Sequence, residues 1–144
     1  MHFRIRSAFF FEMTGNEIFK YLEDWTNRRR SVAARYDEEL ATVQGIIRPV
    51  VDTGNRHVYH LYVIRVKNRE TVQNYLREQG IDTGIHYPIA LPNLQAYRYL
   101  GHKPEDFPVA SAYSFEIMSL PMFPELTEEQ IEYVCHHLKK AIKE

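Results

Sequence analysis

At 144 residues, 44% apolar and 26% charged, the chain has the composition of one folded domain with a buried core, which excludes a disordered tail. A formal net charge of -1 leaves no electrostatic footprint for nucleic acid. The single cysteine, Cys135, excludes an internal disulfide, and no apolar run approaches the ~18 residues of a membrane span.

Residues 1 to 15 form an atypical N-terminal segment. It has a basic start and three consecutive aromatics, Phe9, Phe10 and Phe11, but no cleavage site of the secretory type. With one cysteine and no leader, the expected location is the cytoplasm. Residues 16 to 144 read as one domain. Thr14 to Glu17 matches a capping box, and Ile18, Leu22, Trp25, Val32, Tyr36, Leu40 and Val43 recur on one helical stripe. The spacing predicts a long helix to about Gln44, closed by Gly45. Arg28, Arg29 and Arg30 lie within it, about 100° apart in projection, and read as a solvated, salt-bridged face.

Ile46 to Arg56 reads as a connector with a turn at Asp52 to Asn55. Val58 to Val66 is rich in β-branched and aromatic residues, and the apolar character of both faces predicts a central strand. Asn68 is the expected cap of a helix that turns Val72, Tyr75 and Leu76 inward and stops at Gly80. A short strand from Asp82 to Tyr87 follows and breaks at Pro88, giving a strand–helix–strand crossover.

Leu94 to Leu100 predicts one or two helical turns, and Pro108 suits the first position of a helix through about Phe115. Ile117 to Phe123 reads as a third strand. The last helix has Thr127 and Gln130 as a capping box and Leu126 stapled to Ile131. Its stripe is Ile131, Val134, Cys135, Leu138 and Ile142, and Lys139, Lys140 and Lys143 complement its dipole. The fold class is α+β: a small sheet of about three strands covered by helices.

Residue types alone give no complete catalytic constellation. His57 and His60 are three apart on a predicted strand and face opposite sides, His136 and His137 diverge on a helix, and no zinc-type spacing occurs. Cys135 falls on an apolar stripe, which makes it a core residue. None of the lysines, Lys20, Lys67, Lys103, Lys139, Lys140 and Lys143, has the buried setting of an activated amine. The stretch most suggestive of function is GIDTGIHYP, residues 80 to 88. It places a glycine, His86 and Tyr87 where a strand hands over to a loop.

The segments GIDTGIHYP, AYRYLG, DFPVA and IMSLPMFPELTEEQI occur in order, preceded by WTNRRRSVAARYDEEL. Together they span about residues 20 to 142 and closely resemble the C-terminal part of the DegT/DnrJ/EryC1/StrS family of pyridoxal-phosphate-dependent sugar aminotransferases. The resemblance implies the C-terminal domain of a fold-type I aminotransferase. In full-length members a large N-terminal domain supplies the Schiff-base lysine, the aspartate on the pyridine nitrogen and most phosphate contacts. None of these has a counterpart here, so the resemblance implies no catalytic residue and no cofactor bound by this chain alone. By position, His86 and Tyr87 become substrate-binding residues at the mouth of a site for a keto-sugar nucleotide. Pro92 stands where the family commonly has a second histidine.

The expected function is therefore that of a C-terminal domain or fragment of such an enzyme, from a truncated or split gene, inactive by itself. The alternative is a free-standing interaction or sugar-nucleotide-binding module. It would pair with itself as a homo-oligomer or with a separately encoded large domain, through its apolar N-terminal and interdomain surfaces.

Overall fold

The computed structural model describes residues 15–143, with side chains from Phe19 onward. The Phe9 to Phe11 run and Thr14 lie outside the described residues, as do the side chains of the Thr14 to Glu17 capping box. Helix α1 spans Gly15–Glu39 and stops short of the Gln44 predicted from the stripe. Beyond Glu39 the backbone tightens into three-residue turns, Ala41 N–H to Glu38 O and Val43 N–H to Leu40 O, both 3.3 Å. Gly45, at φ +89°, then turns the chain into a strand instead of closing the helix. The three arginines do different work. Arg28 pairs with Asp24, while Arg29 and Arg30 donate to the backbone carbonyls of Val58 and His57, each at 3.2 Å.

The sheet has three antiparallel strands in the order β1-β2-β3. Strand β1 is Ile46–Ile47, at the start of the predicted connector. Strand β2, Tyr62–Val66, is central as expected but four residues shorter at its start than predicted. Tyr59, at φ 47°, breaks the extended backbone, and the carbonyls of His57 and Val58 are already taken by the two arginines. Strand β3, Ile117–Leu120, ends where Pro121 removes the ladder donor, earlier than the predicted Phe123.

The predicted strand Asp82 to Tyr87 is reduced to one antiparallel bridge, Gly84 to Ser119, with Ser119 N–H to Gly84 O at 2.7 Å and the return bond at 3.1 Å. The left-handed backbone of Tyr87 and the missing N–H of Pro88 stop the ladder there. Two successive antiparallel pairings make the Gly84 segment parallel to β2. The crossover thus runs as predicted, with β3 inserted between its two strands.

Paired residues of an antiparallel ladder share a face. Tyr62, Ile64, Met118 and Leu120 occupy one face and are buried with Val32, Tyr36 and Leu40 of α1, Val72 and Leu76 of α2 (Arg69–Glu78), and Ile131, Val134, Cys135 and Leu138 of α4 (Glu128–Lys143). The Tyr36 hydroxyl donates to Pro121 O at 2.9 Å, and that of Tyr62 to Asp37 Oδ1 at 2.6 Å. Val63, Arg65, Ile117 and Ser119 share the other face. There Arg65 donates to Glu116 at 2.8 and 3.0 Å and lies 3.5 Å from the centre of the Tyr113 ring, tying α3 (Pro108–Glu116) to the sheet.

The α4 entry matches the sequence reading. Thr127 N–H donates to Gln130 Oε1 at 3.0 Å, Gln130 N–H to Thr127 Oγ1 at 3.3 Å, and Leu126 and Ile131 both join the core. Asn68 does sit at the α2 cap, but through left-handed backbone, φ 55°, with no side-chain capping bond. The helical turns predicted at Leu94 to Leu100 form a 3-10 helix at Gln95–Leu100, and two further 3-10 turns flank it at Leu91–Asn93 and Pro104–Asp106.

Where α2 meets α4, His137 Nδ1 lies 3.2 Å from the Tyr75 hydroxyl and its ring packs on Tyr133, with His136 and Lys140 beside it. Burial first, then the neighbouring His136 and Lys140 charges, lower its pKa below the ordinary histidine value. The folded state therefore binds fewer protons at this site than the unfolded state. Its contribution to stability is complete above the ordinary value near pH ~6.5 and is lost as pH falls through that value toward the lower folded one. Thermal melts of wild type and His137→Gln should show a smaller acid-side loss of Tm in the variant. Parallel pH profiles would contradict the coupling.

Candidate functional site

His86 lies on the sheet face opposite the helical core, and Tyr87 follows it at the surface. The Gly84 bridge holds the segment against β3, and Ser119, 4% exposed, projects on the same face as Val63. His86 Nδ1 is 2.9 Å from Ser119 Oγ, and the ring lies flat enough on the backbone that a Cβ at Gly84 would meet Cε1 at 2.9 Å. Gly84 thus permits this close approach of the ring, and a Cβ there would displace the imidazole. The imidazole is exposed and anchored through Nδ1, and among the described residues Nε2 has no hydrogen-bond partner. Behind the bridge, Gln73 Nε2 donates to Thr83 Oγ1 at 3.0 Å, which ties the segment to α2.

Tyr87 is a bulky residue at φ 61°, and its side chain is 84% exposed. A left-handed conformation costs an L-residue about 1–2 kcal/mol, and the pairing at Gly84 and the ring at Pro88 leave the chain little alternative. Tyr87→Gly should raise stability by about 1 kcal/mol, read from the urea midpoint, because the strain disappears while no buried contact is lost. A destabilised variant would mean that the tyrosine packs more than its exposure indicates. Beyond Pro88 the surface stays apolar: Ile89, Leu91, Tyr99, Val109 and Phe115 are each at least half exposed, as are Phe19 at 69% and Val50 at 88%.

The structure places both His86 and Tyr87, adjacent in the chain, on an exposed stretch just beyond the Gly84 bridge. Sequence reasoning missed Ser119 and Gly84 as partners. The available signal was a lone polar residue in the apolar run IMSLPMF. No group of three His, Cys, Asp or Glu among the described residues could hold a metal ion. Two surface cavities, of 330 and 490 Å³, are lined by neither His86 nor Tyr87. No described helix is long and apolar enough to cross a membrane.

The residues present do not fit a Schiff-base site for pyridoxal phosphate. Lys139 is paired with Glu39 at 2.6 Å, and Lys20, Lys67, Lys103, Lys140 and Lys143 are exposed at the surface.

The profile of the DegT/DnrJ/EryC1/StrS aminotransferase family matches residues 13–139. The chain is 42% identical over 122 residues to a pleiotropic regulatory protein of Geobacillus stearothermophilus, covering 83% of this chain and 33% of that protein. It is also 42% identical over 120 residues to the dTDP-3-amino-3,6-dideoxy-alpha-D-galactopyranose transaminase of Aneurinibacillus thermoaerophilus, covering 83% and 32%. The crystal structure of S. venezuelae DesV in complex with a ketimine intermediate superposes with a TM-score of 0.86 at 29% identity, covering 90% of this chain and 35% of DesV. The chain thus spans about a third of the length of these relatives. A backbone built from the same small sheet and helices, matched over nearly its whole length, leaves one assignment: the chain belongs to the DegT/DnrJ/EryC1/StrS aminotransferase family.

Proposed function

We propose that residues 16 to 144 are the small C-terminal domain of a pyridoxal-phosphate-dependent nucleotide-sugar aminotransferase, and that the chain by itself is inactive. The supporting observation is the match of most of this chain to about a third of such an enzyme, combined with lysines that are all exposed or salt-bridged. The chain's own contribution is the His86–Tyr87–Pro88 loop, which closes over a keto-sugar nucleotide held by a separate large domain. His86 donates a hydrogen bond to a sugar hydroxyl or diphosphate oxygen, and Tyr87 flanks it. When bound, the cofactor supplies the carrier of the amino group, which no histidine or tyrosine replaces.

The test is to incubate the chain with pyridoxal phosphate, an amino donor and a dTDP-keto-sugar, then reduce with borohydride. The expected result is no transamination and no cofactor fixed to the chain. Measurable turnover by the chain alone would overturn the proposal.

A second reading is a free-standing module that pairs with a copy of itself. The exposed Phe19 and Leu22 on α1, and the apolar surface from Tyr87 to Phe115, favour it. Sedimentation velocity separates the two, since a strictly monomeric chain excludes self-pairing.

A further inference from the structure

We propose that Ser119 is a positioning residue that holds His86 in its Nε2–H tautomer, so that the ring offers a hydrogen-bond donor to an oxygen of the ligand. This rests on the reading of His86 as a ligand contact, and it specifies which atom makes the contact and what chemistry that atom meets.

The inference comes from satisfying Ser119. Its backbone N–H and carbonyl are both committed to Gly84. Its side chain is buried, and among the described residues the hydroxyl has no partner other than His86 Nδ1, at 2.9 Å. Two proton arrangements fit that distance. If Nδ1 carried the proton and donated to Oγ, the serine hydroxyl hydrogen would remain buried without an acceptor. If the hydroxyl donates to the lone pair of Nδ1, both groups are satisfied and the imidazole proton sits on Nε2. The cost of an unmet buried hydroxyl favours the second arrangement by roughly tenfold to a hundredfold.

Gly84 contributes from the other side. With no Cβ it lets the ring settle against the backbone, where Cε1 would be 2.9 Å from a methyl at that position. The ring is thereby held between a backbone floor and a serine hydroxyl. Nε2 faces outward as a donor, which selects acceptor atoms such as diphosphate or sugar hydroxyl oxygens and disfavours an ammonium. The same arrangement makes neutral His86 a poor proton acceptor at Nε2, so its role is recognition and not general base catalysis.

The tautomer is read directly from long-range 1H–15N spectra of the histidine-labelled full chain at about pH 8.5, where an ordinary imidazole is neutral. His86→Gln identifies the signal. The expected wild-type pattern is a protonated Nε2 and an unprotonated Nδ1. Ser119→Ala should shift the tautomer ratio toward parity by about tenfold or more, and Ser119→Thr, which keeps the hydroxyl, should restore it.

Gly84→Ala supplies an independent perturbation, since it displaces the ring without removing a group from β3, and it should produce the same loss. A wild-type ring protonated on Nδ1, or a ratio unchanged by both Ser119→Ala and Gly84→Ala, would overturn the proposal. Thymidine diphosphate is then added as the probe. A shift of the Nε2–H signal supports the ligand contact. A locked tautomer that ignores the probe at millimolar concentration leaves the Ser119 assignment standing and shows that the ligand contact of His86 requires the separate large domain that holds the nucleotide.

Discussion

Tyr36→Ala should lower the unfolding free energy by about 3–5 kcal/mol, a large part of the stability of a domain this size. Tyr36 has no exposed surface, its ring centre lies 5.0 Å from that of Tyr62, and its hydroxyl reaches Pro121 O at the end of β3. It therefore joins α1 to both inner strands. Removing it opens a cavity where helix and sheet meet, and close-packed neighbours relax only partly into such a space. Tyr36→Phe separates the two contributions. It keeps the ring and deletes one hydrogen bond to a partly buried carbonyl, so it should cost about 1–2 kcal/mol. Urea denaturation midpoints report both values. If the phenylalanine variant were as damaged as the alanine variant, the hydroxyl and not the packing would be what joins helix to sheet.

The second large effect concerns Cys135. Burial pushes its thiol up to about 12, with the Glu39 carboxylate adding to the rise. At pH 8 the thiolate fraction is then roughly a thousandfold below that of an exposed cysteine, and the sulfur is closed off from solvent as well. Alkylation of the native chain by iodoacetamide should accordingly run roughly a thousandfold slower than that of the urea-unfolded chain. Tyr36 faces the same region of the core, where burial first and then the neighbouring Cys135 disfavour its ionised form. Labelling should therefore quicken in Tyr36→Ala as α4 loosens. Native labelling at the rate of an unfolded thiol would mean that α4 does not stay docked on α1 and the sheet.

Several elements were legible from residues alone because what specifies them is local. The entry to α4 needs only Leu126, Thr127, Gln130 and Ile131, all within one turn and a half, and both capping bonds form as the pattern implies. Pro108 starts α3, and Gly80 and Gly101 end helical turns with left-handed backbone. The alternation of Tyr62, Ile64 and Val66 on the buried face likewise follows from the period of a strand.

Strand limits were less legible. Val58 to Leu61 has good strand composition, yet Arg29 and Arg30, about thirty residues away along the chain, claim the carbonyls of Val58 and of His57 just before it, and Tyr59 is left-handed. Ile46 and Ile47 look like a connector until β2 offers them an edge. Residues 82 to 87 have a strand's composition and receive one bridge, because a tyrosine in left-handed backbone and a proline end the ladder.

By itself, then, the sequence determined the fold class, the family and the positions of α2, α3 and α4, since these rest on local periodicity, capping chemistry and ordered motifs. The tertiary structure alone decided which face of the sheet carries His86, that the ring packs where a Cβ at Gly84 would sit, and that Ser119 meets His86 Nδ1. The physical reason is distance along the chain. Ser119 and His86 are thirty-three residues apart, and only the insertion of β3 between the two strands of the crossover brings the serine hydroxyl to the ring.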